Sequence, residues 1–359
     1  MSQIGSPRKD IVEHVRRSCK EEELNPPVPR EYGDIPVSYE AITKEWLTAT
    51  LARDVFRSTI KSFSLGPKDD GSANRRRIKI EWEGFGAHKL PTSVFCKAAH
   101  SAENRIVLAA GGTYSEAAIV ILNDMGQETT FCNYKTGLTK AQFAEQIQML
   151  AKLHSQYYQS QHPDFERLLI YKDRISNLIE VGLETMCVNG FRAAKSVIPP
   201  RLFARQNEIW PCTLKSVERN AALPATVVHG DVHLGNWYIT PYGHMGLTDW
   251  QTVARGHWSR DIAYVLGTAV SAEKRRQWEH EMIEMYVSEL RKHGGPSVSV
   301  EEAWLELRRQ SLGVLAYWTL TLTPSENLPD MQTEEACLCF IGRICTMMDD
   351  HEVLGAFDF

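Results

Sequence analysis

The sequence predicts an α+β protein with two lobes, a small, mainly β lobe followed by a larger helical one. Three observations support this. The chain has 359 residues, more than one ordinary domain. Between Val55 and Leu122, runs rich in β-forming residues follow one another across polar turns. From Thr139 onward, apolar residues recur mostly at helical spacing. The expected division is an arm over residues 1–35, the small lobe over 36–125 and the large lobe over 126–359.

In the arm, Lys20–Glu23 is a charge run and Pro26, Pro27 and Pro29 cannot continue a helix, although Ile11 to Cys19 has the pattern of a short one. The arm reads as an ordered but dispensable lead-in. Thr43 stands as N-cap to a short helix that places Trp46, Leu47 and Leu51 near one face. Val55–Leu65 reads as a strand, Gly66–Asn74 as a polar turn and Arg77–Trp82 as the return strand. Arg75, Arg76 and Arg77 then form a solvated strand end. Gly71 and Ser72 lie at the hairpin tip, where small residues let backbone amides approach phosphates; an ordinary turn is the competing reading. Ser93–Ala98 is a short apolar strand with Lys97 embedded in it, and Ala117–Leu122 is the next strand. The span between them holds a short helix over His100–Gly111, carrying Glu103.

Thr139–Gln142 has capping-box form, and Phe143, Ile147, Leu150 and Leu153 continue it as a helix ending near His154, a core histidine. Ile175, Leu178, Ile179, Gly182 and Met186 suggest one helix face, Pro199-Pro200 breaks the run, and Lys215–Leu223 reads as a further helix. Three more helices are expected over Glu273–His293, Glu301–Thr321 and Thr333–Met348.

Hydrophobic residues make up 43% and charged residues 24%, enough to fill a sizeable core. The net charge of −5 argues against a nucleic-acid or membrane-surface partner. Eight cysteines without a Cys-x-x-Cys pair read as free thiols in a reducing compartment. The polar N-terminus lacks an apolar signal core, and no run has the length of a membrane span, so a cytoplasmic protein is expected.

The chemistry concentrates between Val227 and Gln251. His229-Gly230-Asp231-Val-His233-Leu-Gly235-Asn236 is followed by a β-type run, a turn at Pro241–Gly243, and Asp249-Trp250-Gln251. An Asp, an Asn five residues on and a second Asp after a hairpin is the spacing of kinase phosphoryl-transfer sites. Asp231 would take or orient the proton of an acceptor hydroxyl. Asn236 and Asp249 would hold Mg²⁺, a hard cation that takes oxygen ligands. A zinc set of His229, Asp231 and His233 is the rival, but Gly230 and Gly235 argue for a loop rather than a strand with one ligand face.

With its glycines and His233 in register, this stretch resembles the aminoglycoside phosphotransferase and choline kinase-like superfamily. It is most similar to the ecdysteroid-kinase-like branch of small-molecule kinases. The resemblance extends more loosely from about Ile42 to about His351. It implies a protein-kinase-like two-lobed fold, ATP and Mg²⁺ as cofactors, and a small-molecule hydroxyl as acceptor. By the same resemblance Lys97 contacts the α- and β-phosphates. The adenine bonds backbone near Asn123 to Met125, Asp261 orders the catalytic loop, and His229 and His233 shape it. In the family a helix supplying a Glu partner for Lys97, and one more strand, precede the hinge. Here only about twenty residues separate Lys97 from that strand, so a segment of the small lobe is expected to be missing. Glu103 and Glu116 are the two candidate partners. The shortened lobe motivates an alternative, a catalytically impaired kinase-fold binding protein. A protein kinase is disfavoured, because no Ala-Pro-Glu-like segment follows Asp249.

Overall fold

The computed structural model describes residues 11–55, 57–110, 117–126, 128–326 and 328–357. It divides into two compact units. One is Met1–Gly126 together with Pro324–Met331; the other is Gln127–Thr323 and Gln332–Phe359.

The first unit holds α1 (Ile11–Leu24), α2 (Lys44–Leu51), β1 (Ser58–Leu65), β2 (Asp69–Asp70), β3 (Asn74–Gly84), β4 (Ser93–Ala99), α3 (Ala102–Ala110) and β5 (Ala118–Asn123). The strands form one antiparallel sheet in the order β1–β3–β4–β5, with β2 paired to the start of β3. Side chains alternate between sheet faces, so register sorts them. Ile60, Ile78, Ile80, Val94, Cys96 and Ala98 share a buried face with Trp46 and Leu47 of α2. Thr43 caps α2, its Oγ1 accepting the Trp46 N–H at 3.1 Å. Lys97 pairs with Val120, and Phe95 with Leu122, on the opposite face.

Two details differ from expectation. The arginine triplet is not a solvated end: Arg76 is 9% exposed and donates to Glu40 and to the Gly66 carbonyl, Arg77 pairs with Asp124, and Arg75 with Asp69. The arm is not a detachable lead-in either. α1 runs on to Leu24, and Glu22 receives two hydrogen bonds, at 3.0 and 2.5 Å, from the buried Arg105 of α3. In keeping with the expected missing segment, β4 pairs directly with β5, and among the described residues no strand lies between them. Glu116 falls outside the described residues.

The second unit is mainly helical. Its elements are β6 (Thr130–Phe131), α4 (Lys140–Gln156), α5 (Pro163–Arg167), α6 (Tyr171–Glu180), α7 (Leu183–Ala193), α8 (Pro200–Ala204), α9 (Gln206–Ala222), β7 (Thr226–Val228), β8 (Trp237–Ile239), β9 (Met245–Leu247), β10 (Ala254–Gly256), α10 (Ser259–Thr268), α11 (Ala272–Lys292), α12 (Val300–Leu322) and α13 (Glu334–Asp350). The Thr139 capping box opens α4, with both reciprocal bonds present. Every residue of α10 is buried, which makes it the central pillar; Ile262, Val265 and Leu266 pack with Leu312 and Leu315 of α12 and Phe340 and Ile344 of α13. The helix face expected through Met186 is two helices, because Gly182 stands between them at φ +101°. α9 starts at Gln206 rather than Lys215 and includes Pro211, which reads as a break in the sequence. Two small sheets complete the unit, β7 with β10 and β6–β8–β9. Among the described residues, no helix is long and apolar enough to cross a membrane.

Two outcomes follow from these contacts. Glu22→Gln leaves Arg105, 1% exposed, without its anionic partner. It is expected to weaken the α1–α3 contact by roughly 1–3 kcal/mol, measured as lost amide-exchange protection in both helices. The second concerns acid. Burial lowers His100 from 6.5 to about 4 and His257 from 6.5 to about 3. The unfolded chain therefore binds these protons first, and their contribution to stability is complete above 6.5 and lost as pH falls below it. The urea midpoint is expected to drop steadily from about pH 6.5 towards pH 4; a flat profile over that window would contradict buried neutral rings.

Candidate active site

The loop after β7 is held by its backbone. Asp261, fully buried in the first turn of α10, accepts the His229 N–H at 2.7 Å on Oδ2 and the Gly230 N–H at 3.0 Å on Oδ1. His154 Nε2 stands 3.4 Å from Oδ2, and its Nδ1 lies 2.8 Å from the Tyr286 hydroxyl. Burial alone would raise the Asp261 carboxyl. The hydrogen bond from His154 and nearby positive charge, that of Arg260 included, outweigh burial and hold it below the usual carboxylate range. Gly230 has φ +82°, and a Cβ there would meet the Thr252 carbonyl oxygen at 2.6 Å, so only glycine fits. Thr252 returns the contact, its Oγ1 donating to the His229 carbonyl at 2.8 Å. Arg174 of α6 donates to the carbonyls of Thr252 and Val253.

On this support the side chains of the motif converge. Asn236 Nδ2 donates to the Asp231 carbonyl at 2.7 Å and to Asp231 Oδ2 at 3.0 Å. Tyr264, one turn along α10 from Asp261, donates to Asp231 Oδ1 at 2.8 Å. His233 Nδ1 accepts the Gly235 N–H at 3.0 Å, which leaves the proton on Nε2, 3.6 Å from Asp231 Oδ2. The His233 ring lies among Trp318, Phe340 and Tyr264, at centroid distances of 5.2, 5.8 and 6.3 Å. His229 also bridges the two halves of the motif: Nδ1 accepts the Asp231 N–H at 3.3 Å, and Nε2 donates to the Thr248 carbonyl at 2.9 Å.

Asp249 arrives from the β8–β9 hairpin. Trp237 pairs with Leu247, and the Thr248 N–H donates to the Asn236 carbonyl at 2.9 Å. The next residue, Asp249, therefore comes beside the Asn236 loop. It adopts φ +65°, a left-handed conformation that non-glycine residues rarely take and that clusters at functional sites. Trp250 follows, 4.7 Å from the His229 ring.

The expected nucleotide residues belong to the other unit. Lys97 shares its sheet face with Phe95, Val120 and Leu122, and with Arg75 and Arg77 by register. Val120 is 52% and Leu122 42% exposed, so this face is apolar at one end and cationic at the other. Asn123 and Met125 are exposed on either side of Asp124, whose carboxylate is bonded to Ser93 and Arg77. Glu103 is exposed in the first turn of α3. At the hairpin tip the expectation fails for Gly71: it is buried, its N–H donates to the Ala73 carbonyl and its own carbonyl accepts from Asn104 at 2.7 Å. That amide is not available to a phosphate. Ser72 beside it is half-buried.

Sequence reasoning missed Tyr264 and Arg174. Each sits on a helix face with nothing local to separate it from core or surface residues. Among the described residues, no cluster of three or more His, Cys, Asp or Glu side chains has the arrangement of a metal centre. A cation at this loop would draw on Asn236 and a single carboxylate, Asp249, a set outside that description.

Residues 135–295 match the phosphotransferase enzyme family. No curated protein sequence matches the chain. Among solved structures, the chain is similar to choline kinase LicA from Streptococcus pneumoniae, at 12% identity over 87% of this chain and 99% of that one, with a TM-score of 0.45. It is also similar to an ethanolamine kinase of Plasmodium vivax, at 11% identity over 98% and 96%, TM-score 0.46. A choline kinase from Cryptosporidium parvum aligns at 12% identity over 82% and 91%, TM-score 0.48. The matched span, somewhat under half of the chain, contains the whole Asp231–Asn236–Asp249–Asp261 arrangement.

Proposed function

We propose that the protein is an ATP-dependent phosphotransferase acting on a hydroxyl of a small molecule, with Asp231 as the residue that orients the acceptor and takes its proton. The observation that supports this most is the hydrogen-bonded pair of Asp231 and Asn236. Asn236 turns its amide nitrogen to Asp231, so its amide oxygen is the atom left for a cation, and the Thr248 N–H bound to the Asn236 carbonyl brings the next residue, Asp249, to the same loop. An amide oxygen and a carboxylate are the hard ligands Mg²⁺ takes, with waters and phosphate oxygens completing its shell, so the residues fit the ion. When bound, the ion would neutralise negative charge on the phosphates.

The chain's own residues then divide the work. Asp231 aligns the acceptor oxygen with the γ-phosphorus of ATP. A bond forms from that oxygen to phosphorus, the bond to the β-phosphate oxygen breaks, Asp231 receives the acceptor's proton, and ADP leaves. Asn236 and Asp249 are the assigned metal ligands. In the sheet unit, Lys97 is assigned to the α- and β-phosphates and the backbone of Asn123–Met125 to the adenine, with Phe95, Val120 and Leu122 as apolar surface for the base. The ecdysteroid-kinase-like likeness rests on the motif alone, so the acceptor is left as a hydroxylated small molecule.

The test is turnover of Mg²⁺-ATP against choline, ethanolamine, spectinomycin and hydroxylated steroids. Asp231→Ala is expected to lower kcat by about 10²–10⁴-fold without unfolding the protein. Asp249→Ala and Asn236→Ala are expected to raise the Mg²⁺ concentration needed for half-maximal rate. A rate unchanged by Asp231→Ala would overturn the assignment. Nucleotide binding without turnover would favour the impaired binding protein. For Lys97→Ala the expectation is a raised KM for ATP with an unaltered melting temperature, read in the same assay.

A further inference from the structure

Asp231 is held from a direction the phosphotransferase motif does not specify. Tyr264 is 1% exposed, on the same face of α10 as Asp261, and its hydroxyl gives its single proton to Asp231 Oδ1 at 2.8 Å. Burial and the adjacent carboxylate keep the phenol well above its ordinary range, so it stays a donor. Packing alone would not need the oxygen, since a phenylalanine would fill the same space beside the His233 ring.

Behind the ring stands a second unusual group. Arg260 is fully buried, and among the described residues its Nε, Nη1 and Nη2 have no hydrogen-bond partner. Its guanidinium lies 4.5 Å from the ring centre of Tyr171, 4.7 Å from that of Tyr317 and 5.5 Å from that of Tyr264. Cation–π attraction is strongest where water is excluded, so this cage fixes the Tyr264 ring from one side while Asp231 fixes its hydroxyl on the other.

We propose that Tyr264 is a positioning residue for phosphoryl transfer. Its hydroxyl clamps Oδ1 and Asn236 clamps Oδ2, so the Asp231 carboxylate is confined to one orientation and meets the acceptor hydroxyl through a remaining lone pair. α10 thus controls the loop twice, its backbone through Asp261 and its base through Tyr264. The inference rests on the reading of Asp231 as the base.

The experiment is a double-mutant cycle on Mg²⁺-ATP hydrolysis, with water as acceptor and melting measured for every variant. Tyr264→Phe removes one oxygen and keeps the ring over Arg260. It is expected to lower kcat by about 10-fold, the scale of one hydrogen bond to a charged group, with the KM for ATP unchanged and the melting temperature within a few degrees of wild type. In an Asp231→Ala background, Tyr264→Phe is expected to change nothing further. An unchanged kcat, an equal loss in both backgrounds, or a rate loss that tracks a large fall in melting temperature would each overturn the role of Tyr264. If Asp231→Ala abolishes turnover and Tyr264→Phe does not affect it, the inference alone fails. If the wild type does not turn over ATP, the phosphotransferase reading fails and takes the inference with it.

Discussion

A buried carboxylate is costly unless every charge-bearing oxygen finds a donor, and that constraint governs the helical unit. Asp261 satisfies it with the amides of His229 and Gly230 and the imidazole of His154. Because two of those donors are backbone groups, the carboxylate fixes the path of the loop itself. The loop in turn orients Asp231 and Asn236 and, across one strand pair, sets Thr248 and then Asp249 beside them. The support for Asp261 is equally firm, since every residue of α10 is packed inside the unit.

The same economy of fixed elements recurs in the sheet unit, with different means. There the register of β4 against β5 decides which side chains face the core and which do not. One face is filled by α2 and the aliphatic residues of four strands. The other gathers Lys97, the paired arginines Arg75 and Arg77, and the exposed apolar side chains of Val120 and Leu122. On α3, the buried Arg105 is held by Glu22 of α1.

How much of this could be read from the residues depends on how local each cause is. The loop was legible because its geometry is set within eight residues, where Gly230, Asp231, Gly235 and Asn236 have fixed spacing. The start of α4 was legible because a capping box involves only Thr139 and Gln142. Tyr264 was not, because a tyrosine within an apolar helix has the same pattern whether its hydroxyl meets a carboxylate or water. Glu22 and Arg105 lie 83 residues apart, and in sequence Glu22 is one member of a charge run. The fate of the Gly71 amide was hidden for the same reason, since its position is decided by Asn104 and Ala73 rather than by the turn alone. The solvated reading of Arg76 failed because its partner, Glu40, lies in a segment without any pattern of its own.

The eight residues Pro324–Met331 belong to the sheet unit although they connect α12 to α13. A Cβ at Gly71 would come within 3.4 Å of the Met331 carbonyl oxygen, so this strap lies against the hairpin tip. The sheet unit is therefore discontinuous along the chain. On the ribosome its strands emerge first, yet the last piece they pack against appears only after nearly all of the helical unit has been made, so the amino-terminal third stays unfinished for most of synthesis. For the same reason, a fragment cut after Gly126 would carry every strand of the sheet and still leave one side of that hairpin bare.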